Sequence, residues 1–313
     1  MSNVPVLILA YNRPHYSNKL VCALRNIKPR KIYISCDGPK QNQLDKTKCE
    51  ETQKIFDKID WNCLIKKKIN KKNYGCKKAI SNGINWFFKH EKEGIILEDD
   101  CIPTKYFFFF CKKMLIKYKD NKKIHCVGGV NFFNKKIKES YYFSKYNHCW
   151  GWATWRNSWK YNDVNLTFWP KFKYTKNWRN FHKTNIEKNY WTKIFDNTFK
   201  NKIDSWAYPW TISLWKISGL TVTPAFNLVK NIGVGSDSTH SLFRQKDYFV
   251  KKINNKRIIH PKKIKINCLA DEFVFKNHFK GKNYLYPWRF IYLFKIFLTN
   301  PFTFLKKTIK NIL

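Results

Sequence analysis

Apolar and polar positions alternate in blocks through the first third of the chain. Val4 to Ala10 is a continuous apolar run, the pattern of a strand buried on both faces. Tyr16 to Ile27 places Leu20, Ala23, Leu24 and Ile27 at helical spacing, and Lys31 to Cys36 reads as a second strand, closed by the turn Asp37-Gly38-Pro39. Leu44 to Ile59 predicts a charged helix, Cys63 to Ile69 a third strand, and Lys77 to His90 a third helix with Ala79, Ile80, Ile84 and Phe87 on one side. Gly94 to Leu97 is a fourth strand that runs directly into Glu98-Asp99-Asp100. Strands alternating with helices predict an α/β protein with a mixed, mostly parallel sheet.

After residue 125 the alternation fails. Cys126 to Val130 predicts one more strand, and a Trp-rich stretch follows over His148 to Arg156. A basic helical region is expected over roughly 176–202, and a strand over Leu220 to Ala225. No linker rich in Pro, Gly or Ser divides the chain. The expected organisation is a nucleotide-binding half (1–125), an aromatic-rich acceptor half of the same domain (126–283) and a basic aromatic tail (284–313).

Composition narrows the class. The chain has 313 residues, with 43% hydrophobic and 18% aromatic, too rich in core-forming side chains to be disordered. Its 61 Lys and Arg against 21 Asp and Glu give a net charge of +40, which first suggests nucleic acid. Only eight of those cations are Arg, the residue favoured for bidentate phosphate and base recognition, and the Lys are dispersed. Nucleic acid is therefore the less favoured partner. Ten Cys without a C-x-x-C pair or zinc-finger spacing, and a start without a signal-peptide pattern, lead one to expect reduced thiols and a cytoplasmic protein.

In open α/β sheets, ligands bind beyond the carboxyl ends of the strands. The segments there are Ala10-Tyr11-Asn12-Arg13, Cys36-Asp37-Gly38 and Glu98-Asp99-Asp100. Three consecutive carboxylates in a chain so poor in acids are a concentrated exception. Carboxylate oxygens suit Mg²⁺ or Mn²⁺, commonly held by one or two carboxylates plus substrate phosphates.

The segment Gly94 to Pro103 (GIILEDDCIP) resembles the metal-binding segment of GT-A-fold glycosyltransferases, and it is similar to that of the group related to N-acetylglucosaminyltransferase I. Leu9 to Pro14, Asn73 to Ala79, Asp204 to Trp210 and Asn227 to Gly233 look like further blocks of bacterial and viral sugar transferases, including those like bacterial family 2. The resemblance covers about residues 4–240. It implies a GT-A-like fold, an NDP-sugar donor (UDP favoured), Mn²⁺ or Mg²⁺, and transfer with inversion to a glycan or lipid-linked hydroxyl. Asp100 would be the direct metal ligand and Asp99 a second carboxylate at the metal, also near the ribose or sugar, with Glu98 supporting. Ala10, Tyr11 and Arg13 would line the nucleotide pocket, and Asp37 would contact the base.

Inverting transfer needs a carboxylate to take the acceptor proton. Asp204, beside Trp206, Tyr208 and Trp210, is the candidate, although a helix N-cap is the competing role for it. Trp150, Trp152 and Trp155, with Gly151 between two indoles, suggest a loop that stacks on sugar faces, and Trp206 joins them as an acceptor contact; core packing is the alternative for each. His240 is a candidate contact to the diphosphate or the metal. The tail from Tyr284 is too short and too interrupted to span a bilayer, and its Trp, Tyr and Lys beside Phe and Leu suit contact with an anionic membrane surface. Two rival functions remain open: a nucleotidyltransferase of the same fold class, which would carry a Gly-rich phosphate loop after the first strand, and a nonenzymatic polyanion-binding protein.

Overall fold

The computed structural model describes residues 3–233 and 257–300. His240 and the end of the tail lie outside them. In chain order the nucleotide half contains β1 (Val6–Ala10), α1 (Pro14–Arg25), β2 (Lys31–Cys36), α2 (Gln43–Ile55), β3 (Leu64–Ile69), α3 (Gly75–His90), β4 (Glu93–Glu98), β5 (Cys101–Pro103) and α4 (Lys105–Tyr118). Next come β6 (Ile124–Gly128), β7 (Tyr141–Ser144), β8 (Trp152–Trp155), α5 (Arg156–Trp159), α6 (Trp169–Phe172), α7 (Lys176–Phe181), α8 (Asn185–Phe199) and α9 (Ala207–Lys216). The described chain finishes with β9 (Leu220–Pro224), β10 (Val229–Asn231), α10 (Cys268–Asn277), a 3-10 turn (Gly281–Tyr284) and α11 (Trp288–Thr299).

Eight strands form one sheet in the order β3-β2-β1-β4-β8-β6-β9-β7, and β5 and β10 form a separate antiparallel pair. The four strands anticipated first are parallel neighbours, with β8 and β7 running against the rest. The chain is thus α/β, with a mixed, mostly parallel sheet flanked by helices. The expected boundary at 125/126 falls inside β6, and the sheet continues through it.

Successive residues of β1 feed opposite cores, as a pleated strand requires. Val6, Ile8 and Ala10 pack with Leu20 and Leu24 of α1 and Phe107 of α4. Leu7 and Leu9 pack with Ile84 and Phe87 of α3 and Trp210 of α9. At the free edge, β3 carries Lys66, Lys67 and Lys68 and is largely solvent-facing, which discourages pairing with another chain.

The Trp-rich stretch departs from expectation. Trp152–Trp155 is not a site loop but strand β8, paired on both sides by β4 and β6. Gly151 makes the turn into it with φ +64°, where a Cβ would also strike Val229 at 2.7 Å. Trp152 is fully buried and stacks on Trp206 with ring centroids 5.6 Å apart. Trp155 is buried too. Neither can present a face to a sugar, so the acceptor role expected of them is withdrawn.

The basic region over 176–202 is two helices, α7 and α8. Thr184 caps α8 by accepting from the Glu187 amide at 3.2 Å. Among the described residues no helix is long and apolar enough to cross a membrane.

Candidate active site

The three strand ends meet as the parallel sheet dictates. The Asp37 amide donates to Ala10 O at 3.0 Å, and the Asp99 amide to Leu9 O at 3.0 Å, so both turns continue the ladder of β1. Arg13, just beyond β1, reaches across to the triplet. Its Nε donates to Asp99 Oδ2 at 3.3 Å, its Nη1 to Asp100 Oδ2 at 3.0 Å, and its Nη2 to Asp99 Oδ1. Asp99 and Asp100 are buried.

Burial raises the proton affinity of Glu98, and the neighbouring Asp100 charge adds to it. Asp99 moves in the same direction by burial, with Arg13 opposing. One guanidinium thus faces three carboxylates, and the surplus negative charge is what a divalent cation relieves. The donors are hard oxygens, which fits Mg²⁺ or Mn²⁺. Among the described residues no group of three or more His, Cys, Asp or Glu surrounds a common metal position. The fit is therefore to one carboxylate acting with substrate phosphates. Asp99 turns both oxygens to Arg13, which leaves it less available to a cation than Asp100. Among the described residues, Asp100 Oδ1 has only long contacts, from Asn231 Nδ2 and Cys101 Sγ at 3.5 Å each.

The β5–β10 pair supports Asp100 from the other side. The Ile232 amide donates to Asp100 O at 2.8 Å. Gly233 lies against the carboxylate so closely that a Cβ there would stand 2.1 Å from Oδ2.

Asp37 differs from expectation. Its carboxylate accepts from the Gly38, Tyr74 and Gly75 amides and from the side chains of Asn70 and Asn73, at 3.0–3.2 Å. Five donors occupy its lone pairs, so it anchors the loop before α3 rather than reading a base.

Asp204 resolves into a cap of an unexpected kind. Its Oδ2 accepts from the Cys76 amide at 3.1 Å and its Oδ1 from the Lys77 amide at 3.0 Å, so it caps α3 from 128 residues away and not its own helix. Gly75, with φ +79°, leaves room for it: a Cβ there would meet Asp204 Oδ2 at 3.1 Å. Asp204 is exposed, and Trp206 two residues on is buried. Cys76 lies within reach of the charges of both Glu98 and Asp204. Trp206 is buried and stacked on Trp152, so it is not a free stacking platform, which revises its acceptor role.

Trp150 remains half-buried, edge-on to Phe132 with ring centroids 5.2 Å apart and beside His278. Of the four tryptophans expected to meet an acceptor, it alone retains open surface.

Asp45 escaped the sequence reading. It accepts from Tyr11 Oη, Asn12 Nδ2 and the Lys40 amide at 2.6 Å each, and so fixes the loop after β1. Burial works against its charge but these bonds outweigh it and hold the carboxyl below its ordinary range. Burial and Asp45 together push the Tyr11 phenol up. The available signal was Asn42, which caps α2 by accepting from the Asp45 amide at 2.8 Å and so turns Asp45 inward.

No family model and no curated protein matches the chain. Among solved structures it is similar to HddC from Yersinia pseudotuberculosis complexed with GMP-PN, at 16% identity over 54% of this chain and 86% of that one, with a TM-score of 0.33. It is similar to the mannosyltransferase PcManGT from Pyrobaculum calidifontis in complex with GDP-Man and Mn²⁺, at 11% identity over 50% of this chain and 45% of that one, TM-score 0.35. It is also similar to the glycosyltransferase GlyE of Streptococcus pneumoniae, at 11% identity over 70% and 60% of the two chains, TM-score 0.31. The site is read from this chain's own residues.

Proposed function

We propose that the chain is a metal-dependent glycosyltransferase that moves a sugar from a nucleoside-diphosphate donor to a hydroxyl of a glycan or lipid-linked acceptor, with inversion. The observation that carries this reading is the Glu98-Asp99-Asp100 triplet at the carboxyl end of β4, whose buried Asp99 and Asp100 are clamped by Arg13 from the end of β1. Tyr11 and the β1 loop, fixed by Asp45, line the nucleotide side of the crevice. Asp100 is the residue that would hold Mn²⁺ or Mg²⁺, and an ion bound there would supply positive charge to stabilise the leaving nucleotide diphosphate. Arg13 keeps Asp99 and Asp100 aligned and supplies a fixed positive charge beside the phosphates. Glu98, backed by Trp206, sits next to the reacting end of the donor. Asp204, the exposed carboxylate adjoining that corner, takes the proton of the acceptor hydroxyl as the new bond forms, and Trp150 offers the aromatic surface for the acceptor.

The test is a panel of UDP-, GDP-, CDP- and dTDP-sugars incubated with the protein and Mn²⁺ or Mg²⁺, read as nucleotide release and as thermal stabilisation. Metal-dependent release from one donor supports the reading, and Asp100→Ala should abolish it. Release of pyrophosphate from a nucleoside triphosphate and a sugar phosphate would instead identify a nucleotidyltransferase. No response to any donor, with steeply salt-dependent polyanion binding, would leave the nonenzymatic alternative.

A further inference from the structure

We infer that α11 docks the protein on an anionic lipid bilayer. Phe290, Ile291, Phe294 and Leu298 are 65%, 56%, 62% and 66% exposed, and on a helix this spacing gathers them within an arc of about 100°. Tyr292, Leu293 and Ile296, on the opposite arc, are half-buried. Trp288 and Tyr286 extend the exposed apolar surface past the start of the helix. A stripe of this size costs hydration free energy unless something covers it.

Charge decides what covers it. From Phe273 to the end of the sequence there are eight Lys and Arg and no Asp or Glu, Arg289 and Lys295 among them within the helix itself. A second copy of the same segment would bring like charges together at low dielectric. An anionic lipid surface instead satisfies both features, apolar side chains entering the acyl boundary and cations meeting headgroups.

The helix is also rooted in the body of the fold. It contacts the 3-10 turn Gly281–Tyr284, which in turn rests on α10 and α8. At the end of α10, His278 stacks on Phe132 at 3.7 Å and adjoins Trp150. Docking through α11 would therefore be transmitted to the half that carries Trp150, the side on which a lipid-linked acceptor would approach. The inference stands on α11 alone and survives if the transferase reading fails.

The experiment is cosedimentation of the full-length protein with vesicles of phosphatidylcholine, with and without phosphatidylglycerol, for the wild type and for the pair Phe290→Ser with Phe294→Ser. The expected result is binding only when phosphatidylglycerol is present, weakened by salt, and reduced about tenfold or more in the double variant. The exposed positions make loss of the fold unexpected. Quenching of wild-type tryptophan fluorescence by bromine-labelled lipid, diminished in Trp288→Phe, gives a readout that does not depend on the double variant. Asp100→Ala should bind vesicles like the wild type, which separates this outcome from that of catalysis. Wild type that stays in the supernatant, a double variant that binds undiminished, or a dimer abolished by the double variant would each overturn the inference.

Discussion

Asp37 and Asp204 divide the leading amides of α3 between them: Asp37 accepts from Tyr74 and Gly75, and Asp204 from Cys76 and Lys77. A helix start leaves its first N–H groups without intrahelical partners, and here two carboxylates from remote parts of the chain satisfy them. Both also complement the positive end of the helix dipole. The consequence is mechanical. The segment beneath the proposed donor is held by the end of β2 on one side and by the lead-in to α9 on the other.

Capping and proton transfer can be separated at Asp204. Asn keeps one of the two caps through its Oδ1 and gives up the other, since its Nδ2 donates, and it cannot accept the acceptor proton. Asp204→Asn should keep thermal stability within about 1 kcal/mol of wild type and lower turnover by about a hundredfold or more. Asp204→Ala should lose about 1–2 kcal/mol in addition. Unfolding curves and steady-state rates on the same preparations check this; an Asn variant with wild-type turnover would reduce Asp204 to a cap.

Gly233 is expected to be intolerant for a reason unrelated to folding propensity. Its absent Cβ is replaced by Asp100 Oδ2, so Gly233→Ala must displace the carboxylate or the β10 loop. The prediction is a weakened metal response, read as a higher Mn²⁺ concentration for half-maximal activity, with a melting temperature near that of wild type.

Asp45 should act as a positioning residue. Asp45→Ala frees Tyr11 and Asn12 and leaves the Lys40 amide without its acceptor. Donor KM should rise by about tenfold, corresponding to about 1–3 kcal/mol of lost anchoring, while kcat changes less. Tyr11→Phe should reproduce only part of the effect. Equal losses in kcat for both variants would point to a different role for this loop.

The second half contains a buried ion pair whose pH signature is defined. Lys145 Nζ lies 2.6 Å from Glu187 Oε1, among Tyr146, Phe181 and Trp215. Burial works against the Glu187 charge, but His182, Lys145 and Tyr146 outweigh it and bring the carboxyl down to about 2. A depressed acid contributes stability that is complete above its unfolded value and lost as pH falls through the folded one. The stability gap between wild type and Glu187→Gln should therefore be full at pH 7, about 3 kcal/mol from this source, and shrink as pH falls from about 4.5 toward 2. Denaturant unfolding of both proteins at neutral and acid pH measures the gap; a gap that does not change would show that the pair is not ionic.

Strands β1, β2 and β4 and the carboxylate triplet were legible because a parallel sheet buries its inner strands on both faces, and the chain writes that as Val4 to Ala10 and Gly94 to Leu97. Strand β8 was not. Trp-Ala-Thr-Trp is buried throughout, so no polar alternation marks it, and Gly151 before it reads equally well as a loop. Strands β5 and β10 have three residues each, too few for any period. In the site, charge was legible but partnership was not. Nothing local to Asp37 tells that four donors from residues 70–75 will converge on it, and nothing near Asp204 tells that the helix it caps begins at Gly75.

The central claim is that Asp100 and the donor diphosphate hold a divalent ion between them. Its most direct measurement is Mn²⁺ binding by calorimetry to the wild type and to Asp100→Ala, each with and without the nucleoside diphosphate that the donor panel identifies. The account predicts Mn²⁺ binding to the wild type that is strengthened by the nucleotide, and loss of that coupling in Asp100→Ala. Undiminished, nucleotide-coupled Mn²⁺ binding by Asp100→Ala would contradict it.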